Sequence, residues 1–189
     1  MIRSPRFSVV MDACVLYPAP VRDILLSLAS VGLFKPKWSD EIQVEWKRNL
    51  LINRSDLSEN ALNSTIQSMN SAFPDSNVIN YESLIEGLSL PDRDDRHVLA
   101  CAIRSGADMI TTFNLKDFPV KVLEQYDIEV QSPDELISNL IDLNEKLACK
   151  AFSKMVRRLK NPPKTKIQIL ETLRKCGLTN SVNRFEKCS

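Results

Sequence analysis

Three aspartates fall within four positions of Leu90-Pro91-Asp92-Arg93-Asp94-Asp95-Arg96-His97-Val98-Leu99-Ala100, directly ahead of an apolar run that reads as a helix. With Asp95 at zero and about 100° per residue, Val98 lies at about −60°, Leu99 at about +40°, Ala102 at about −20° and Ile103 at about +80°. Asp95 therefore sits in the middle of the apolar face. Asp94 points about 100° away, and Asp92 lies at or before the helix start, where a carboxylate can cap free backbone N–H groups. Three more acids share this half-buried character. Asp12 follows the apolar run Phe7-Ser8-Val9-Val10-Met11, Glu45 stands between Ile42 and Trp46, and Asp117 comes just after Met109-Ile110-Thr111-Thr112. Buried carboxylates repel one another and are pushed toward protonation unless a cation neutralises them. With one histidine in the chain and no Cys-x-x-Cys pair, oxygen ligands and a hard Mg²⁺ or Mn²⁺ ion are the chemistry these residues suit.

Each of these residues also has a plainer use. Asp92 can be a helix cap, Asp94 a solvated charge, Glu45 a surface glutamate and Asp117 the cap of a turn. A lone histidine beside a helix start, as His97 is, is more often structural than catalytic, and Arg96 is ambiguous in the same way. The five cysteines are widely spaced and several stand among apolar neighbours, so they read as reduced core thiols and not as a zinc site.

The elements that must position the acids alternate in type. Phe7 to Met11 reads as a buried strand, and Val21 to Phe34 as a helix by its leucine and isoleucine spacing. Ser39 or Asp40 can cap a helix carrying Ile42, Glu45, Trp46 and Leu50. A further helix is expected over Leu57 to Phe73, and a short strand over Asn77 to Asn80. The helix after the aspartates should end at Ser105, before Gly106. Met109 to Thr112 and Ile128 to Val130 read as strands. Strands separated by helices imply a mainly parallel sheet, and ligands of such sheets collect at the carboxyl ends of strands, where Asp12 and the Asn114 to Asp117 turn lie. From Pro133 onward strands disappear, and one helical stripe runs from Leu136 to Leu159 until Asn161-Pro162-Pro163 breaks it. A last helix over Ile167 to Cys176 ends at Gly177. Two parts are thus expected, an α/β domain over 1–131 and a basic helical extension over 132–189.

At 189 residues, 43% hydrophobic and 26% charged, the chain has ordinary globular composition and can enclose a core. No apolar run approaches the ~18 residues of a membrane span, and the expected location is the cytoplasm. The net charge of +1 is the difference of two large numbers. Residues 1–145 hold 13 basic and 22 acidic residues, net −9, whereas residues 146–189 hold 12 and 2, net +10. A basic tail on an acidic body suits either contact with a polyanion or docking of the two parts on each other.

The run Leu90 to Ala100, continuing through Gly106-Ala107-Asp108-Met109-Ile110-Thr111-Thr112-Phe113-Asn114-Leu115-Lys116-Asp117-Phe118-Pro119, resembles the PIN-domain ribonucleases, in particular VapC-like toxins of bacterial toxin–antitoxin pairs. Val9 to Leu16 and Trp38 to Leu50 share the resemblance, and the tail looks like the C-terminal helical extension of one branch of these toxins. It implies a PIN-like three-layer α/β/α domain with a central mainly parallel sheet, and Asp12, Glu45 and Asp95 as acidic metal ligands. Many relatives have an aspartate where this chain has Asn114, so Asp117 is taken as the fourth acid. Asp92, Arg96, Thr112 and Asn114 are then supporting or substrate-positioning residues. The implied activity is Mg²⁺- or Mn²⁺-dependent endoribonucleolytic cleavage of RNA. The implied partners are RNA, a cognate antitoxin protein and a second copy in a homodimer, with no membrane. Two rivals remain: a catalytically silent module that docks a basic partner or RNA, and a phosphohydrolase of small substrates. The last lacks a second strand-end aspartate, because Cys14 stands there.

Overall fold

The computed structural model describes residues 7–159 and 163–188. Four short strands form one sheet, β1 (Ser8–Met11), β2 (Lys35–Lys37), β3 (Met109–Thr111) and β4 (Glu129–Gln131), in the order β2-β1-β3-β4 with every pair parallel. The helices of this part are α1 (Ala13–Leu16), α2 (Ala19–Ser30), α3 (Asp40–Asn53), α4 (Glu59–Ala72), α5 (Glu82–Ile85), α6 (Arg96–Ser105) and α7 (Val120–Leu123). Sheet and helices make a three-layer α/β/α arrangement. Helix α6 packs on β1 and β3, and α2 lies against β2. The extension adds α8 (Pro133–Leu143), α9 (Glu145–Arg158), α10 (Lys166–Lys175) and α11 (Thr179–Phe185). Among the described residues, no helix is long and apolar enough to cross a membrane.

β1 is central and buried at all four positions, which is why Phe7 to Met11 is apolar without alternation. Its register pairs Val10 with Ile110 and Met11 with Thr111, so the next residues, Asp12 and Thr112, emerge side by side from adjacent strand ends. Helix α3 starts where Ser39 accepts the Ile42 N–H at 3.3 Å, and α6 ends at Gly106, whose φ of 59° closes the last turn in the left-handed conformation.

Several elements differ from expectation. α2 stops at Ser30, because Gly32 at φ 81° turns the chain, and Leu33 and Phe34 lead instead into β2. That strand carries Pro36 between two lysines and reads poorly as a strand. At a sheet edge the missing proline N–H costs no ladder bond. Asn77 to Asn80 forms only an isolated parallel bridge from Asn77 to Trp38, and Asn80 at φ 61° ends the extended run. The stripe from Leu136 to Leu159 is two helices. Asn144 leaves the helical conformation (φ −159°, ψ 85°), and its side chain accepts the Leu147 N–H at 3.0 Å to start α9. Asn161 and Pro162 of the expected break lie outside the described residues.

The extension begins with a reciprocal capping box, in which Ser132 and Glu135 each satisfy the other's backbone N–H. Helix α9 packs on α2, and Phe152 stacks on Phe185 at 4.6 Å between ring centroids. Among the described residues, no ion pair joins residues 132–188 to residues 7–131; apolar contact joins them. The cysteine reading needs correction. Cys149 and Cys188 form a disulfide with Cα atoms 5.5 Å apart, while Cys14, Cys101 and Cys176 are free. A separation of 39 residues carries no pairing signal in sequence; the folding back of α11 beside α9 creates it.

Candidate active site

Asp12 occupies the N-cap position of α1 but makes no side-chain cap bond. Its Oδ2 instead accepts the Thr112 hydroxyl at 2.7 Å and the Cys14 thiol at 3.0 Å. The Asp12 N–H donates to the Thr111 carbonyl at 3.1 Å, continuing the β1–β3 ladder by one step. Thr112 Oγ1 in turn accepts the Asn114 N–H at 3.0 Å, and the Phe113 N–H donates to Cys14 Sγ at 3.3 Å. The end of β1 and the turn after β3 are thus stitched together around one carboxylate. Asp12 is 3% exposed. Burial raises its pKa above the ordinary value against the pull of the Cys14 and Thr112 bonds, and the charge of Glu45 raises it further. Burial, and then the charge of Asp12, push the Cys14 thiol up to about 12, so it serves as a neutral donor and not as a nucleophile.

Asp95 is the N-cap residue of α6 and also makes no side-chain cap bond. Its carboxyl is pushed up to about 7, first by burial and then by the charges of Asp12, Asp92, Asp117 and Glu45. The four acids singled out by sequence, Asp12, Glu45, Asp95 and Asp117, therefore converge, each close enough to act on the charge of Asp95. Glu45 and not Glu41 acts on both Asp12 and Asp95, whereas Glu41 accepts the Tyr81 hydroxyl at 3.2 Å. Asp117, in the one-turn 3-10 helix Leu115–Asp117, acts on Asp95 as well. Among the described residues, no group of three or more His, Cys, Asp or Glu side chains is drawn in to the spacing of an assembled metal site.

The supporting residues divide. Thr112 is fully buried and tied to Asp12, as described above. Asp92 is exposed and accepts the Asp94 N–H at 2.9 Å, so it shapes the turn ahead of α6 and does not cap the helix itself. Arg96 donates Nε to the Arg93 carbonyl at 2.9 Å across the same turn. Asn114 precedes the 3-10 turn, where its carbonyl accepts the Asp117 N–H at 3.0 Å. Asp94 is exposed.

Sequence reasoning undervalued two residues. Cys14 reads as a small core hydrophobe but is a hydrogen-bond donor to Asp12. His97 is 6% exposed, and its Nε2 lies 3.2 Å from Glu45 Oε2, with Nδ1 3.9 Å from Glu41 Oε2. Burial lowers the His97 pKa, but the bond to Glu45 and the charges of Glu41, Glu45 and Asp12 outweigh it, and the net direction is upward. Its place two residues after Asp95, on a helix facing α3, was the available signal.

Comparison with known proteins adds a family. Residues 8–116 match the model described as PIN domain, and residues 133–187 match the one described as VapC50 C-terminal domain. A protein of Mycobacterium tuberculosis strain H37Rv named "Putative ribonuclease VapC50" is 39% identical over 79 residues, which cover 42% of this chain and 47% of that relative. The match thus spans about half the length of the relative. No solved structure matches the chain.

Proposed function

Because the chain belongs to the PIN-domain family, we propose that it is a metal-dependent endoribonuclease that hydrolyses RNA phosphodiesters at Asp12, Glu45, Asp95 and Asp117. The observation that carries this reading is the crowding at Asp95, where burial and four neighbouring carboxylates hold its carboxyl at about 7. A cluster that resists its own ionisation is one that a cation relieves. The donors are all hard oxygens, which suit Mg²⁺ or Mn²⁺. Asp12, Glu45, Asp95 and Asp117 would hold the metal. When bound, it would supply Lewis-acid polarisation of the scissile phosphate and a more acidic water.

The chain's own residues act on geometry and protons. Thr112 and Cys14 both bond to Oδ2 and hold the Asp12 carboxylate in one orientation. His97 does the same for Glu45. Asp95 is available to accept a proton from a water at the reacting phosphate. Arg96, beside Asp95, is a cation placed to meet the RNA backbone, and the net charge of +10 on residues 146–189 adds attraction that does not depend on sequence.

The wider reading is that of a toxin in a toxin–antitoxin pair, acting in the cytoplasm on RNA, held by an antitoxin protein and able to pair with a second copy. Residues 1–131 would be the nuclease domain and 132–189 a basic helical extension. Cleavage of RNA with Mg²⁺, lost in Asp95→Asn with the fold intact, is the expected result; undiminished cleavage by that variant overturns the assignment. One observation favours a catalytically silent module, namely that the carboxylates are not at coordination spacing. Mn²⁺ titration separates the two readings, since a silent module takes up no metal at millimolar concentration.

A further inference from the structure

A nuclease built on this site faces a problem of attraction. The groups around the reacting position are carboxylates, and they repel the RNA backbone. Binding at the site needs a surface that a negative field does not oppose, such as the flat, neutral face of a base. The turn that carries the site holds one. Phe113 stands between Thr112, which is bonded to Asp12, and Asn114, and it keeps 39% of its surface exposed. Leu115, two residues on, is 40% exposed.

The position of Phe113 is fixed relative to the acids. Its own N–H is held by Cys14 Sγ at 3.3 Å, and the next N–H, that of Asn114, by Thr112 Oγ1 at 3.0 Å. Both anchors also contact Asp12 Oδ2. An aromatic side chain is thereby kept partly uncovered beside the carboxylates, although an exposed phenylalanine has no value for the fold itself. The other exposed aromatic of the region, Tyr126, lies on a separate 3-10 turn, Glu124–Tyr126, without such ties to the site.

We infer that Phe113 is a stacking platform for an unpaired base next to the scissile phosphate, so that the substrate is single-stranded RNA or an unpaired loop. The inference rests on the nuclease reading. Bases inside a duplex are covered by their neighbours and cannot reach such a platform, whereas splayed bases can. Lys116 and Arg93, both exposed, are available to the flanking phosphates.

The test uses the full chain carrying Asp95→Asn, titrated into RNA oligonucleotides with one 2-aminopurine, either single-stranded or paired. Stacking quenches the fluorescence of the single strand and not of the duplex. Adding Phe113→Ala removes the quenching and weakens single-strand binding about tenfold, while Phe113→Trp retains both. In the cleaving chain, Phe113→Ala raises KM about tenfold and leaves kcat within about twofold, with the Mn²⁺ titration unchanged. Equal affinity of Phe113→Ala and its parent for the single strand, or equal affinity of the parent for duplex and single strand, overturns the inference. Absence of cleavage by the unmodified chain, with quenching intact, refutes the nuclease reading and not the platform. Cleavage with an unchanged KM in Phe113→Ala refutes the platform and not the nuclease.

Discussion

Replacing Asp95 by asparagine should stabilise the metal-free protein, and only at higher pH. The folded carboxyl ionises at about 7 against an ordinary value of 3.8. Below 3.8 it is protonated in folded and unfolded chains alike and imposes no penalty. Between 3.8 and about 7 the unfolded chain ionises first, so stability falls as pH rises, and above about 7 the loss is complete. A shift of this size corresponds to at most about 4 kcal/mol. Asp95 is only half-buried, and solvent screening leaves about 1–2 kcal/mol. Asparagine keeps the shape and removes the charge, so in EDTA the variant should melt about 2–8 °C higher than the parent at pH 8 and equally at pH 4. Saturating Mn²⁺ should reverse the order. At one hundred times its dissociation constant a ligand adds about 2.7 kcal/mol to the parent, and the variant, short of one carboxylate, should gain less. Thermal unfolding of both chains at the two pH values, with EDTA and with Mn²⁺, reads all of this. An asparagine variant that is equally stabilised or destabilised at pH 4 and pH 8 would refute the argument, because the crowding would then not be electrostatic.

Other perturbations follow from the same geometry. Thr112→Val deprives Asp12 of its shortest hydrogen bond and leaves the Asn114 N–H unpaired, so urea unfolding should show a loss of about 1–3 kcal/mol. His97→Leu leaves Glu45 without its partner and should weaken Mn²⁺ binding about 10–100-fold in calorimetry, with part of the loss restored by His97→Gln. Thiol titration of the unreduced, denatured chain should find three reactive cysteines and not five. Reduction of Cys149–Cys188 should then cost about 2–4 kcal/mol of stability, and an identical midpoint with and without reductant would refute that contribution.

Much of the fold was legible because its signals are local. The unbroken apolar run before Asp12 marks a central strand, the angular position of Asp95 marks a half-buried acid, and Ser39 and Gly106 mark a helix start and a helix end. What was illegible depended on tertiary context. Lys35–Lys37 looks unlike a strand, and only its edge position makes Pro36 harmless. Asn144 splits an apolar stripe whose period runs on through the break. The Cys149–Cys188 bond exists only because four helices fold back on one another. For the site, residue type and spacing identified the acids that converge on Asp95, but not the neutral donors that orient them. Cys14 and His97 act through partners 2 and 52 residues away, Asp12 and Glu45, and their type alone pointed to the core.

The central claim is that these carboxylates take up a divalent cation and with it cleave RNA. It is tested most directly by Mn²⁺ titration and an RNA cleavage time course on the same preparations of the full chain and of Asp12→Asn, the most buried acid of the cluster. The account predicts that the parent binds Mn²⁺ and cleaves RNA, that EDTA stops the cleavage, and that Asp12→Asn loses both properties while unfolding cooperatively like the parent. Cleavage by Asp12→Asn at the parent's rate, or a parent that neither binds Mn²⁺ at millimolar concentration nor cuts any RNA in a total cellular extract, would contradict it.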